Sequence, residues 1–219
     1  MQRPYVTIFS TMTIDGKIAN SSKYSKLSCD DDFKLQHYLR SINDAVMIGA
    51  NTAIIDNPSL TVRLVKGTSP YKIVVDSKLI IPTSLKIFSN PKRSIIITSN
   101  DSDPEKIEKF ERIGVKIIKV NKNKGLDMES ALQKLYEIGI KKLMVEGGGN
   151  LNYSLLFRGL VDEIWITISP FAFGGGISFL EKGELDEIKA ELYIKEIKQL
   201  CHNWINIRYG ILYPKKPIV

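Results

Sequence analysis

KKLMVEGGGNL, from Lys141 to Leu151, reads as a buried strand that runs into a glycine turn and then a helix. Leu143, Met144 and Val145 are the strand, and Glu146 stands at its end. Gly147, Gly148 and Gly149 follow at once, and Asn150 opens an apolar pattern (Leu151, Tyr153, Leu155, Leu156) that suits a helix to about Phe157. A strand feeding a glycine turn at a helix N-terminus lets backbone N–H groups approach an anion closely, with no Cβ to hold a phosphate away. Glu146, at the carboxyl edge of the strand, points toward the same crevice. Three consecutive glycines cost ~1 kcal/mol each relative to alanine in regular structure, which favours a binding turn over a ligand-free one. The run comes late in the chain and is spaced GGG, not G-x-G-x-x-G, so the common dinucleotide fold is not expected.

Outward from this run, strands alternate with helices. Strands are expected at Tyr5–Phe9, Ala45–Ile48, Lys72–Val75, Ser94–Thr98, Val115–Val120 and Asp162–Ile168. Ser28 and the three aspartates 30–32 suit a helix start, since carboxylates favour the positive end of the peptide dipoles, and that helix continues to about Arg40. Asp103-Pro104-Glu105 is a cap followed by proline at the first helical position, with the helix stopped by Gly114. Glu129–Ile138 forms a helix stopped by Gly139. Asp15-Gly16 marks a turn, and Gly174–Gly176 is a second glycine cluster. The tail carries two consecutive strands, near Glu191–Ile197 and Trp204–Leu212, suited to an antiparallel hairpin. The pattern predicts a single α/β domain over residues 1–219, with a mainly parallel sheet covered on both faces and an antiparallel C-terminal edge hairpin.

Composition bounds the function. No run approaches ~20 apolar residues, so no membrane span is expected, and the N-terminus has no signal-like core; the cytoplasm is the expected location. With two cysteines (Cys29, Cys201) and two histidines (His37, His202), no metal-ligand spacing exists, and no metal is expected. A disulfide between cysteines so far apart is not expected in a cytosolic chain. The net charge of +7 admits a nucleic-acid partner, but the lysines are scattered (Lys106, Lys109, Lys116, Lys119) rather than gathered in a stripe. A moderate positive field equally attracts phosphorylated small molecules, and no nucleic-acid or membrane partner is expected.

Four motifs occur in order: TMTIDGKIA (Thr11–Ala19), GANTAIIDNPSLTVR (Gly49–Arg63), IVVDSKL (Ile73–Leu79) and VEGGGNLN (Val145–Asn152). Together they resemble the riboflavin-biosynthesis reductases over nearly the whole chain. The resemblance implies a dihydrofolate-reductase-like fold, a homodimer, and NADPH as cofactor, with NADH as the other possibility. Relatives fused behind a zinc deaminase need a His/Cys cluster with a glutamate, which these residues do not supply. The chain therefore resembles the stand-alone archaeal and fungal type. That type implies reduction of the ribosyl group of 2,5-diamino-6-(ribosylamino)-4(3H)-pyrimidinone 5′-phosphate to a ribityl group.

The same resemblance implies cofactor contacts from Thr11, Thr52, Asp56, Ser77, Lys78, Leu79, Ile80, Leu126, Gly147, Gly148, Gly149 and Asn150. It implies substrate contacts from Ser25, Arg40, Leu60, Arg63 and Glu146, with Glu146 the candidate for catalysis. The residue chemistry fits. Thr52 and Asp56, four apart, share a helix face. A hydroxyl and an ammonium at Ser77-Lys78 suit the extra phosphate of NADPH, where an acidic residue would hold a ribose diol. Arginines such as Arg40 and Arg63 can grip a phosphate bidentately. Each also has a plainer reading. Thr52–Asp56 also reads as a helix-surface pair, Ser77-Lys78 as a β-turn, Leu126 as core, the arginines as surface and Glu146 as a helix cap. Asp15 reads as structural in its turn. The chain departs from its relatives at Asn57, where many have aspartate, at Asn150, where threonine is common, and at Phe9, where bacterial relatives carry a lysine.

The mechanism so implied opens the ribosylamine to an imine, delivers hydride to C1′ and adds a proton from water or Glu146. The alternatives are a bacterial-order reductase of 5-amino-6-(5-phosphoribosylamino)uracil, a dihydrofolate-type reductase, or a non-enzymatic nucleotide- or RNA-binding module.

Overall fold

The computed structural model describes residues 2–181 and 190–214. The parts of the expected 1–219 domain at residues 1, 182–189 and 215–219 lie outside the described residues. The first half runs β1 (Tyr5–Met12), β2 (Lys17–Ala19), α1 (Asp30–Ile42), β3 (Ala45–Gly49), α2 (Ala50–Asp56), β4 (Tyr71–Val75) and β5 (Ser94–Ser99). There follow α3 (Pro104–Arg112), β6 (Lys116–Val120), the short β7 (Lys122–Asn123) and β8 (Gly125–Leu126), and α4 (Met128–Glu137). The chain then forms β9 (Lys142–Val145), α5 (Gly149–Phe157), β10 (Glu163–Ile168), the short β11 (Ile177–Ser178), β12 (Glu191–Leu200) and β13 (Trp204–Leu212).

Nine of these strands form one sheet in the order β12-β13-β10-β1-β9-β3-β4-β5-β6. Pairing is parallel from β10 to β6 and antiparallel where β13 joins β10 and β12 joins β13. The expected α/β architecture and its antiparallel edge hairpin are both present. Alternate residues along each strand enter two apolar layers. Val6, Ile8, Met47, Ile73, Leu143 and Val145 pack with α4 and α5, while Phe9, Val46, Ile48, Val74, Ile96 and Met144 pack with α1, α2 and α3. Covering both faces is what a parallel sheet requires, since its crossovers lie there.

Local signals place the helix ends. Asp103 accepts a hydrogen bond from Glu105 N–H at 2.9 Å and Pro104 is the first residue of α3. Asp127 caps α4 by accepting from Ser130 N–H at 3.0 Å. Asn57 ends α2 in the left-handed region at φ 40, where asparagine is tolerated, and its Oδ1 accepts from Lys86 N–H at 2.8 Å. Aspartate at that position would serve equally as an acceptor, so the departure from relatives leaves this contact intact.

One expectation is overturned. Cys29 and Cys201 are joined by a disulfide, with Cα atoms 6.7 Å apart. Cys29 is the residue before α1 and Cys201 lies in the β12–β13 turn. The turn folds back over the start of α1, where Trp204 Nε1 donates to Leu27 O at 2.8 Å. The contrary expectation rested on compartment alone; the pairing is set by where the edge hairpin ends.

Candidate active site

The carboxyl ends of β1, β3, β4 and β9 open into one cleft of about 1150 Å³, closed from the sides by α1, α2 and the start of α5. That exceeds the ~300–1,000 Å³ of a typical small-molecule pocket and leaves room for two ligands side by side. Crevices at the carboxyl ends of parallel strands are where α/β sheets bind ligands, because helix N-termini converge there.

The glycine turn forms one wall. Glu146 N–H donates to Met47 O at 3.0 Å and Gly49 N–H to Gly147 O at 2.9 Å, which ties the ends of β9 and β3 together. The Gly147–Gly148 peptide is cis. α5 begins at Gly149, so the N–H groups of Gly149 and Asn150 have no partner within the helix. A side chain at Gly149 would run into the carbonyl of Ser178 and, at 2.8 Å, Glu181 Cγ. The glycine there lets the 178–181 segment close against the helix start.

The opposite wall is polar. Asp32, Gln36 and Arg40 follow one another at intervals of four along α1 and therefore share a face. Arg40 Nε donates to Glu146 Oε1 at 2.6 Å and Arg40 Nη2 to Glu146 Oε2 at 2.7 Å. Gln36 Nε2 adds a third hydrogen bond to Oε2 at 3.0 Å, and Arg40 Nη1 donates to Thr61 O at 3.1 Å. The two side chains are 7% and 8% exposed. Burial by itself would lower the Arg40 pKa; the charge and hydrogen bonds of Glu146 outweigh it and raise the pKa above its ordinary value.

Among the residues assigned to a cofactor, Thr11, Thr52, Asp56, Ser77, Lys78, Ile80, Leu126, Gly148, Gly149 and Asn150 all line this cleft. Among those assigned to substrate, Ser25, Arg40, Leu60 and Glu146 line it. Thr52 and Asp56 lie on the cleft face of α2, and Ser25 Oγ donates to Asp56 Oδ1 at 3.4 Å.

Three residues lie elsewhere. Leu79, with φ 49, is buried in the apolar layer that includes the inner face of α3 and does not line the cleft. Gly147 is buried behind Gly148. Arg63 is exposed and donates to Ser59 Oγ at 2.7 Å and Thr61 Oγ1 at 3.2 Å rather than into the cleft. Arg40 also departs from its expected use, because its fork is taken up by Glu146 instead of standing open to a phosphate.

Several residues escaped the sequence reading. Asp76 accepts from the N–H groups of Lys78, Ile80 and Ile81 at 3.2, 2.8 and 3.0 Å, and so shapes the turn that carries Ser77 and Lys78. An aspartate directly after a strand is the usual mark of such a side-chain-to-backbone turn. Gln36 was findable from its spacing of four to Arg40. Ser28 lines the cleft beside Thr11. Asp15 is structural: Thr13 Oγ1 and the N–H groups of Phe173 and Gly174 donate to it, and these bonds, the Thr13 hydroxyl foremost, hold its carboxyl down to about 2.

The family model described as the RibD C-terminal domain matches residues 4–205. A 2,5-diamino-6-ribosylamino-4(3H)-pyrimidinone 5′-phosphate reductase of Methanothermobacter thermautotrophicus is 36% identical over 176 residues, covering 79% of this chain and 81% of that protein. A protein of the same name from Aquifex aeolicus is 33% identical over 218 residues, covering 93% and 97%. Among solved structures, a pyrimidine reductase-like protein of Corynebacterium diphtheriae superposes with a TM-score of 0.84 at 21% identity, covering 96% of this chain and 93% of that one. A dihydrofolate reductase of Enterococcus faecalis, complexed with NADP(H), superposes with a TM-score of 0.57 at 12% identity, covering 96% and 98%. The fold is thus that of the dihydrofolate-reductase-like α/β proteins.

Proposed function

This chain belongs to the RibD C-terminal domain family, and from that premise we propose that it is an NADPH-dependent reductase of riboflavin biosynthesis. Its substrate on this reading is 2,5-diamino-6-(ribosylamino)-4(3H)-pyrimidinone 5′-phosphate, whose ribosyl group it reduces to ribityl. The observation that carries the reading is a single cleft in which the glycine turn at α5 faces the buried Arg40–Glu146 pair.

The residues present suit a phosphorylated nicotinamide cofactor. The N–H groups at the start of α5, unpartnered within the helix, and the hydroxyl of Thr52 suit its pyrophosphate. The Ser77 hydroxyl and the exposed Lys78 ammonium, on the turn shaped by Asp76, suit a further phosphate. Apolar Ile80 and Leu126 border the same end of the cleft. When bound, the cofactor supplies the hydride.

The chain's own part is placement. Glu146 is anchored by three hydrogen bonds from Arg40 and Gln36, and the lone-pair site left on Oε1 can accept from a pyrimidine amino group or a sugar hydroxyl. A side chain so held orients the substrate, and the proton that completes the reaction comes from water or by way of Glu146. Holding the two ligands in fixed relation contributes to the acceleration by turning a bimolecular step into an effectively unimolecular one.

The working unit on this reading is a homodimer. β12 is a ten-residue edge strand with Leu192, Ile194 and Ile197 44%, 56% and 58% exposed. An edge strand of this length is a ready template for pairing with another chain. No helix among the described residues is long and apolar enough to cross a membrane.

The test is consumption of NADPH on mixing the protein with the diaminopyrimidinone, beside parallel reactions with the deaminated uracil analogue and with NADH. Faster turnover of the diaminopyrimidinone with NADPH is the expected result. A folded protein that consumes NADPH with neither pyrimidine is not this reductase.

A further inference from the structure

Three polar side chains stand in a row on neighbouring strands beneath the first turn of α1. Thr11 is paired with Thr167 across β1 and β10, and Thr167 with Asn206 across β10 and β13. Residues in register project to the same face of a sheet, here the face that α1 covers. Asp32, in the first turn of α1, is fully buried. The Thr11 hydroxyl donates to its Oδ2 and the Thr167 hydroxyl to its Oδ1, both at 2.5 Å. Asn206 Nδ2 in turn donates to Thr167 Oγ1 at 2.9 Å. Both oxygens of Asp32 therefore serve as acceptors, and an acidic side chain suits the first turn of a helix.

This arrangement fixes the direction of every hydroxyl hydrogen near it. A threonine hydroxyl has one hydrogen and two lone pairs. The Thr11 hydrogen is held by Asp32, so the 3.1 Å contact between Thr11 Oγ1 and Ser28 Oγ must be donated by Ser28. Both residues line the cleft, and with the bonds so directed neither hydroxyl retains a hydrogen to offer a ligand.

We propose that Asp32 is a positioning residue that turns the Thr11–Ser28 wall into a surface of hydrogen-bond acceptors, which selects an N–H₂ group on the bound ligand. The inference rests on the functional reading above for the identity of its ligands. Two of their groups have this chemistry: the carboxamide of the nicotinamide ring and an exocyclic amino group of the pyrimidine. A ligand presenting oxygen or methyl there leaves desolvated acceptors unpaired.

The experiment compares wild-type protein with D32N, T11V and T11S. Cofactor affinity is measured by binding of NADPH and of its reduced 3-acetylpyridine analogue, in which a methyl replaces the amide nitrogen. Substrate preference is measured as KM and kcat on the diaminopyrimidinone and on its deaminated analogue, in which oxygen replaces one amino group.

If the wall takes the carboxamide, wild type and T11S bind the analogue about tenfold more weakly than NADPH, the loss of one hydrogen bond. D32N, whose amide frees a hydroxyl hydrogen toward the cleft, and T11V then bind the two nearly alike. If the wall takes the pyrimidine amino group, the collapse appears instead in the substrate KM ratio, with kcat less affected. Either pattern supports the proposal, and T11V carries the test should D32N fail to fold. Folded D32N and T11V that keep both wild-type ratios would overturn it. Wild-type protein that fails to bind NADPH at all would instead overturn the functional reading.

Discussion

Arg40 and Glu146, 106 residues apart in sequence, meet as a bidentate pair at 2.6 and 2.7 Å in the wall of the cleft. Both are nearly buried, so each depends on the other for its charge to be tolerated. Removing one partner of such a pair leaves an uncompensated buried charge and costs roughly 3–5 kcal/mol, whereas replacing both with apolar groups is often close to neutral. Glu146→Gln should therefore unfold at markedly lower urea concentration and lose activity. The double change Arg40→Met with Glu146→Leu should recover most of the stability and none of the activity. Wild-type stability in Glu146→Gln would show that the pair is not coupled in this way.

Lys78 stands exposed at the cleft rim on the turn held by Asp76. If it meets the extra phosphate of NADPH, Lys78→Ala removes one charge-assisted hydrogen bond and should raise the KM for NADPH about tenfold. The KM for NADH should change little, because NADH lacks that phosphate. An equal rise for both cofactors would place Lys78 elsewhere.

His37, on the buried side of α1, accepts from the Arg63 N–H at 2.8 Å through Nδ1, which holds the segment after Leu60. Burial, then the neighbouring positive charges of Arg40 and Arg63, lower its pKa below 6.5, with Glu146 opposing. The folded state thus binds a proton less readily than the unfolded one. The stability this contributes is present above pH 6.5 and is lost as pH falls from there through the lower folded value. Urea midpoints measured from pH 8 to 5 should fall over that window in wild type and flatten in His37→Gln.

The Cys29–Cys201 link closes a loop with a sequence separation of 172 and joins α1 to the edge hairpin. Cross-links of this kind typically stabilise by ~2–4 kcal/mol, chiefly by restricting the unfolded chain. Melting with dithiothreitol should occur several degrees lower than without it. Cys201→Ser should melt at the lower temperature under both conditions.

Much of this architecture is legible in residue order. The apolar run Leu143–Val145 before three glycines, the cap at Asp103-Pro104 and the alternation from Trp204 to Leu212 are local signals, and each places its element within a residue or two. So are the spacings of Thr52 with Asp56 and of Ser77 with Lys78, which bring those pairs to one cleft. The burial of the Leu79 side chain is not legible in the motif, because motif position says nothing about which way a side chain turns. Its left-handed backbone sends it into the layer under α3.

By itself, the sequence determined the α/β alternation, the parallel sheet with its antiparallel edge, the glycine turn at a helix start and the family. The structural features depend on periodicity and on backbone permissiveness, which act over a few residues; the family rests on the resemblance carried by the four motifs. Only the tertiary structure decided that Arg40 grips Glu146, that Asp32 bridges Thr11 and Thr167, and that Cys29 reaches Cys201. Those pairings are set by strand order and register, which bring together groups separated by more than a hundred residues, or by the crossing of a helix over strand ends. Burial then determines which polar groups must find one another, because an unpaired charge or hydroxyl beneath α1 would be too costly to keep.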